Sequence, residues 1–253
     1  MTKRLWIFDF DGTLSEFVAD RGLAALLPEA RSLLNRLKSM PATTVAIISS
    51  RKLDDIVSRV DVSGIYLGGS CGLFWRTPHG DTLSPPESLL AKIRERRNCI
   101  MPDLVRLFYD TPVELEDKSW AVTAHLRDTP PNQRDYFAGE LVEYCAQRRL
   151  FHSAGQLSLE VSFDEEVRKV NGLKRLLAVI GDDYEPHHII YAGDDENDAQ
   201  AIKWLTSLGG AAFTVGAKIA VPDVESVASP KALVQRVTEI IATIEQDKIE
   251  ERS

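Results

Sequence analysis

Apolar residues in this chain fall into short unbroken runs and longer periodic ones. Leu5-Trp6-Ile7-Phe8 stops at Asp9, and Val45-Ala46-Ile47-Ile48 stops at Ser49. Ile65-Tyr66-Leu67, His188-Ile189-Ile190-Tyr191-Ala192 and Ala212-Phe213-Thr214-Val215 repeat the short pattern. Runs of that length closed by polar or glycine residues predict strands buried on both faces. Between them, Pro28 to Leu37 places Leu33, Leu34 and Leu37 at helical spacing with Glu29 in the first turn. Leu53 to Val60, Asn197 to Leu205 and Ala232 to Ile249 also read as helices. Strands alternating with helices predict an α/β fold, a doubly wound, Rossmann-like parallel sheet with helices on both faces.

The middle of the chain has another rhythm. It reads as a helix over Glu87 to Leu107, strands over Val113 to Asp117 and Trp120 to Leu126, a helix over Gln133 to Arg148 and a strand over Leu157 to Phe163. Ala121-Val122-Thr123-Ala124-His125-Leu126-Arg127 partly alternates, as a half-exposed antiparallel strand does, and Lys118-Ser119 joins two strands as a hairpin. This order predicts a separate α+β module, residues 85–163, inserted into a core made of 1–84 and 164–253. No repeat or low-complexity linker interrupts either part.

Composition narrows the function classes. The 253 residues are 44% hydrophobic and 27% charged, values of an ordinary globular protein. No run approaches the roughly 18 apolar residues of a spanning helix. Asp9 interrupts the apolar stretch after Lys3-Arg4 too early for a secretory signal. Cys71, Cys99 and Cys145 are widely spaced, so reduced thiols in a cytoplasmic protein are expected rather than disulfides or zinc. The net charge of −8 argues against nucleic acid as a partner. Arg94-Glu95-Arg96-Arg97 reads as a solvated helix face rather than a basic binding patch.

The chemistry should lie where strands end, because open α/β sheets bind ligands beyond their carboxyl ends. Three such ends are polar together: Asp9-Phe10-Asp11-Gly12-Thr13, Ser49-Ser50-Arg51 and Gly193-Asp194-Asp195-Glu196-Asn197-Asp198. Single aspartates often cap helices or form turns. Two acidic clusters at neighbouring strand ends repel unless a cation lies between them, and carboxylate oxygens suit Mg²⁺.

These residues resemble the haloacid dehalogenase superfamily. Asp9-Phe10-Asp11-Gly12-Thr13 matches its D-x-D-G-T motif, Ser49 its second motif and Gly193 to Asp198 its fourth, in order along the chain. The insert resembles the C2-type cap of the superfamily's sugar phosphatases. The resemblance implies Asp9 as covalent nucleophile, Asp11 as proton donor and then base, and Ser49 as a donor to the transferring phosphoryl group. It also implies Mg²⁺ held by Asp9, Asp194 and the main-chain carbonyl of Asp11, with Asn197 and Asp198 supporting the metal and a third-motif lysine. That motif departs from the usual K-G: Arg168-Lys169-Val170-Asn171-Gly172 offers Lys169 first and Arg168 second.

The insert narrows the resemblance to the trehalose-6-phosphate phosphatases. Leu115-Glu116-Asp117-Lys118 and His125-Leu126-Arg127 are similar to their E-D-K and H-Y-R stretches. Glu116, Lys118 and Glu160 fall where that family grips sugar hydroxyls, which suits carboxylate acceptors and a lysine donor; Arg51 is expected among the substrate contacts. Departures are Ser50 for glycine and Cys71 for the histidine of G-x-H-G. His125 is expected to be structural, and Trp6, Trp75, Trp120 and Trp204 to serve packing. The implied partner is a small sugar phosphate acted on by a monomer or weak homo-oligomer. Sucrose, glucosylglycerate and mannosylglycerate phosphates remain alternative substrates, and a non-catalytic sugar-phosphate sensor is the alternative activity. A signalling receiver domain fits less well, since it needs an open surface and no second acid at Asp11.

Overall fold

The computed structural model describes residues 2–18, 21–155, 157–181 and 184–250. In chain order the elements are β1 (Arg4–Phe8), α1 (Pro28–Ser39), β2 (Thr43–Ile48), α2 (Leu53–Arg59), β3 (Tyr66–Gly69), β4 (Phe74–Arg76) and β5 (Thr82–Leu83). Next come α3 (Glu87–Leu107), β6 (Glu114–Asp117), β7 (Ala121–His125), α4 (Pro131–Arg148), β8 (His152–Ala154) and β9 (Ser158–Ser162). The chain closes with α5 (Lys169–Ile180), β10 (Ile189–Gly193), α6 (Glu196–Ser207), β11 (Ala211–Val215), β12 (Glu225–Val227) and α7 (Pro230–Glu250). Among the described residues no helix is long and apolar enough to cross a membrane.

Two sheets result. The larger runs β12-β11-β10-β1-β2-β3-β4-β5, parallel from β12 to β3 and antiparallel at β4 and β5. Its central strand shows why the short runs carry apolar residues at every position. Successive side chains point to opposite faces, so Trp6 and Phe8 pack with Leu33, Leu37, Val237 and Ile241 from α1 and α7. Leu5 and Ile7 pack with Leu173, Leu176, Ile202 and Leu205 from α5 and α6. Each such side chain contributes about 1.5–3 kcal/mol by leaving water, and helices on both faces leave no position free for a polar residue.

The smaller sheet runs β6-β7-β9-β8, all antiparallel, with α3 and α4 on one face only. Val122, Ala124, Leu159 and Val161 point at Ile93, Ile100, Leu104, Leu141 and Cys145. On the opposite face the register aligns Glu116, Thr123, Glu160 and Ser153 across four strands. The hairpin at Lys118-Ser119 is present, with the Lys118 N–H donating to Ala121 O at 2.9 Å.

The expected helices and strands are present, with ends shifted by a residue or two. The sheet is not wholly parallel, because β4 and β5 fold back on its edge. β4, β5, β8 and β12 have only two or three residues each, too few to show a period in sequence.

Candidate active site

Asp9 follows β1 directly, and its N–H donates to Ala192 O of β10 at 2.9 Å. This bond sets the Asp9 carboxylate beside the turn after β10. There Asp195 caps α6 by accepting from Asp198 N at 3.0 Å. The Asp198 carboxylate accepts in return from Asp194 N and Asp195 N, both at 3.2 Å. This reciprocal box satisfies orphan donors of the helix and fixes three carboxylates in a few residues of chain. Gly12 permits the approach of the first loop. Its φ is +78°, and a Cβ there would lie 2.5 Å from Asp194 Oδ2.

Lys169, the first residue of α5, enters this cluster fully buried. Its Nζ lies 2.7 Å from Asp9 Oδ1, 2.7 Å from Asp198 Oδ1 and 3.8 Å from Asp195 Oδ1. Its backbone N–H donates to Asn197 Oδ1 at 3.2 Å, and the Tyr191 hydroxyl bonds Asp198 Oδ1 at 2.6 Å. Arg168 points elsewhere, over the Phe151 ring. The irregular motif has a steric reason for its glycine: a Cβ on Gly172 would lie 2.1 Å from Cys71 O. Cys71 itself is buried, and its Sγ accepts from Asn197 Nδ2 at 3.4 Å. Burial pushes that thiol up to about 12, so it packs rather than reacts.

The charges are held under tension. Burial pushes the Asp9 carboxyl up to about 7 against the pull of Lys169, with Asp194, Asp195 and Asp11 adding to the rise. Burial, then Asp198 and Asp195, push Asp194 up to about 6. Burial also opposes the charge on Lys169, yet Asp195, Asp198 and Asp9 hold its ammonium well above the usual lysine range. Asp9, Asp194 and Asp198 offer oxygens within 4.8 Å of one another. Two crowded buried carboxylates with raised pKa values are the donor set that a hard divalent cation relieves. The donor set therefore fits Mg²⁺ through Asp9 and Asp194, since Asp198 already accepts from Lys169, Tyr191 and two backbone N–H groups.

Of the expected metal set, Asp9 and Asp194 lie together as side chains, while Asp11 is expected to contribute its main-chain carbonyl rather than its carboxylate. The Asp11 carboxylate takes a bidentate pair from Arg51 at 2.7 and 2.7 Å. Arg51 also holds Asp55 at 2.8 Å. Arg51 therefore does not reach out as a substrate contact. It ties the first loop to α2. Ser49 is fully buried, with Oγ accepting from Arg51 N at 3.2 Å, which leaves its hydroxyl proton available.

A cleft of about 840 Å³ separates this cluster from the polar face of the smaller sheet. Asp9, Asp11, Lys169, Asp194 and Asn197 line one wall, and Thr123, His125, Arg127 and Glu160 the other. Of the expected sugar contacts, Glu160 lines the cleft, while Lys118 is buried against it at 2.5 Å. Glu116 sits at the sheet edge and bonds His125 Nε2 at 3.0 Å. Glu116, Lys118, Ser49, Arg51 and Asp198 are not among the lining residues. His125, expected as structural, does line it. Thr123 and Lys218 were not singled out in the sequence. Lys218 donates to Asp194 Oδ2 at 2.7 Å and stacks over Phe17. Its signal was its place just past β11, another strand end.

Residues 7–236 match the model of the trehalose-phosphatase family. The chain belongs to that family. It is 32% identical over 196 residues to the trehalose-phosphate phosphatase of Mycobacterium ulcerans, covering 77% of this chain and 49% of that protein. The chain spans about half the length, or less, of the curated relatives it matches. Among solved structures, the C-terminal domain of C. albicans trehalose-6-phosphate phosphatase aligns with a TM-score of 0.77 at 20% identity, covering 92% of this chain and 90% of that one. A haloacid dehalogenase-like hydrolase from Bacteroides thetaiotaomicron aligns with a TM-score of 0.64 at 15% identity, covering 94% and 100%. At those identities the two structures speak to the fold.

Proposed function

We propose that the chain is a Mg²⁺-dependent phosphatase that converts trehalose 6-phosphate to trehalose and inorganic phosphate through a phosphoryl group carried on Asp9. One observation carries the reading. A buried lysine ion pair on Asp9 faces a second polar wall, headed by Glu160 and backed by Lys118, across a cleft large enough for a disaccharide phosphate. Family membership supports the same substrate, and M. ulcerans trehalose-phosphate phosphatase is the kind of relative it has. The division of labour follows the two sheets, with residues 1–84 and 164–253 as catalytic core and 85–163 as cap.

In the first step an Asp9 carboxylate oxygen attacks phosphorus, and the bond from phosphorus to the sugar oxygen breaks. Asp11 gives that oxygen its proton, for which the Arg51–Asp11 pair parts. In the second step Asp11 takes a proton from water, whose oxygen attacks phosphorus and releases Asp9 and inorganic phosphate. Lys169 stays charged beside Asp9 and offsets negative charge building on the phosphoryl oxygens. Ser49 donates its hydroxyl to the same group. Asn197 orients the start of α5, and Asp198 orients the Lys169 ammonium. Asp9 and Asp194 would hold Mg²⁺, with the carbonyl of Asp11 assigned by resemblance, and the ion would supply Lewis-acid charge that favours their ionised forms. Glu160 accepts from sugar hydroxyls while Lys118 fixes it in place. Glu116, at the sheet edge against His125, is assigned the outer end of the same grip.

Phosphate release from a panel of sugar phosphates, with Mg²⁺ and with excess chelator, tests the reading. Metal-dependent preference for trehalose 6-phosphate is expected. Preference for another sugar phosphate would overturn the substrate and keep the chemistry. Binding without release would overturn the chemistry in favour of a sensor.

A further inference from the structure

The run Arg94-Glu95-Arg96-Arg97 does not behave as one solvated face. Arg94 pairs with Glu87 at 3.1 Å and Arg97 with Asp117. Arg96 instead donates to Phe163 O at 3.3 Å and lies 3.4 Å from the buried Asp164 carboxylate, which Lys92 also holds at 2.9 Å. This sets Arg96 in a second cleft of about 320 Å³, distinct from the first and sharing none of its lining residues. Two further arginines line it from other parts of the chain. Arg149 is the C-cap of α4, and Arg168 closes the segment linking β9 to α5.

The partners of these arginines leave cationic capacity unspent. Arg168 lies 5.1 Å over the Phe151 ring, with its Nε donating to Glu165 O at 2.8 Å and its guanidinium 3.5 Å from Glu165 Oε2. The Arg149 side chain is exposed and makes no hydrogen bond or ion pair among the described residues. Among the described residues, Glu165 is the one acid lining the cleft against three guanidinium groups. Gathering like charges costs energy unless an anion or solvent offsets them, and this happens in a chain of net charge −8. Ser162 adds a hydroxyl to the wall, although its Oγ already donates to Val167 O at 3.1 Å.

We propose that the arginine cleft formed by Arg96, Arg149 and Arg168 is a binding site for a phosphate-class dianion, either inorganic phosphate or the head group of a small phosphomonoester. Guanidinium forks match phosphate oxygens two at a time, which ammonium groups do not. A volume of about 320 Å³ lies at the small end of ligand pockets and suits such a group. The site has a direct line to the first cleft. Arg168 and Lys169 are neighbours in sequence, and their side chains enter the two clefts separately. An anion gripped by Arg168 therefore holds the segment that delivers Lys169 to Asp9.

The test measures binding, not turnover, so it stands apart from the hydrolytic reading. Inorganic phosphate is titrated into the full chain in excess chelator, where the carboxylates beside Asp9 do not attract it. Thermal denaturation and calorimetry are compared with sodium chloride at equal ionic strength. Phosphate is expected to raise the melting temperature saturably beyond the chloride effect. Arg149→Ala, which removes an exposed side chain without internal partners, is expected to weaken phosphate affinity about tenfold or more. A parallel titration with glycerol 3-phosphate identifies the source, since the tighter of the two is the ligand class the cleft selects. Equal phosphate affinity in Arg149→Ala and the unaltered chain would overturn the proposal. So would the absence of any phosphate effect beyond that of chloride.

Discussion

The two walls of the main cleft hold their polar groups by different physics. On the core wall, Asp9 and Lys169, with Asp198 behind them, are buried almost completely, and each charge is fixed by a neighbour within 2.7 Å. Removing one member there leaves another charge stranded in a poor solvent. On the cap wall, Thr123 and Glu160 line the cleft and share a sheet face with Glu116 beyond its lining, because strand register puts them there. Their burial falls from Glu160 to the half-exposed Glu116. The core wall is thus rigid and costly to alter. The cap wall is graded, and its tolerance should rise toward the sheet edge.

The largest expected effect breaks the core wall. Asp9→Asn is expected to lower turnover by about 10⁴-fold or more, as loss of a nucleophile does, while the purified variant keeps its circular dichroism. Lys169→Met should cost about 3–5 kcal/mol of stability by leaving Asp9 and Asp198 without their shared cation. In a chain of this size that is a fall of roughly 10 °C in melting temperature. A change of a degree or two would mean that the cluster is not under tension.

Acidity sharpens the same point. Asp9 titrates near 7 in the folded protein against an ordinary value of 3.8, so between those limits the folded state keeps a proton the unfolded state has lost. Stability from this group is therefore present at low pH and lost as pH rises through about 7. Asp9→Asn should gain melting temperature over the unaltered metal-free chain as pH rises from 4 to 7. Mg²⁺ should raise the stability of the unaltered chain more at pH 8 than at pH 5. A difference that does not change with pH would contradict the burial argument.

The cap wall is expected to respond less and more selectively. Glu160→Gln should lower kcat/KM for trehalose 6-phosphate by about 10–100-fold, the worth of one charged hydrogen bond. Hydrolysis of an aryl phosphate should barely change. Glu116→Gln should cost about threefold or less on the sugar substrate, because the side chain is half exposed and lies against His125. Equal losses at the two positions would erase the gradient across the cap sheet.

The core wall was legible in the sequence because its construction is local. Asp9 to Thr13 is one loop after β1, and Gly193 to Asp198 runs from the end of β10 through the N-cap into the first turn of α6, so spacing alone brings their carboxylates to strand ends. Lys169 ranks ahead of Arg168 on the resemblance alone, since adjacent residues at a helix start diverge in direction and the close packing of Gly172 on Cys71 and Gly72, which seats that helix, is not visible in sequence. The cap wall was half legible. Alternation predicted β7, but the pairing of Lys118 with Glu160 spans 42 residues and depends on register. Arg51 resisted reading for the same reason, its partner Asp11 lying 40 residues away. The short β4, β5, β8 and β12 carry no apolar period for a sequence to show.

The most direct measurement is rapid quenching of the chain during turnover of trehalose 6-phosphate with Mg²⁺, followed by mass spectrometry of the peptide containing Asp9. A phosphoryl adduct on Asp9 that forms and decays within the turnover time, and is absent from Asp9→Asn, is the expected result. Phosphate release without any adduct, or retained release by Asp9→Asn, would contradict the assignment of Asp9 as the phosphoryl carrier.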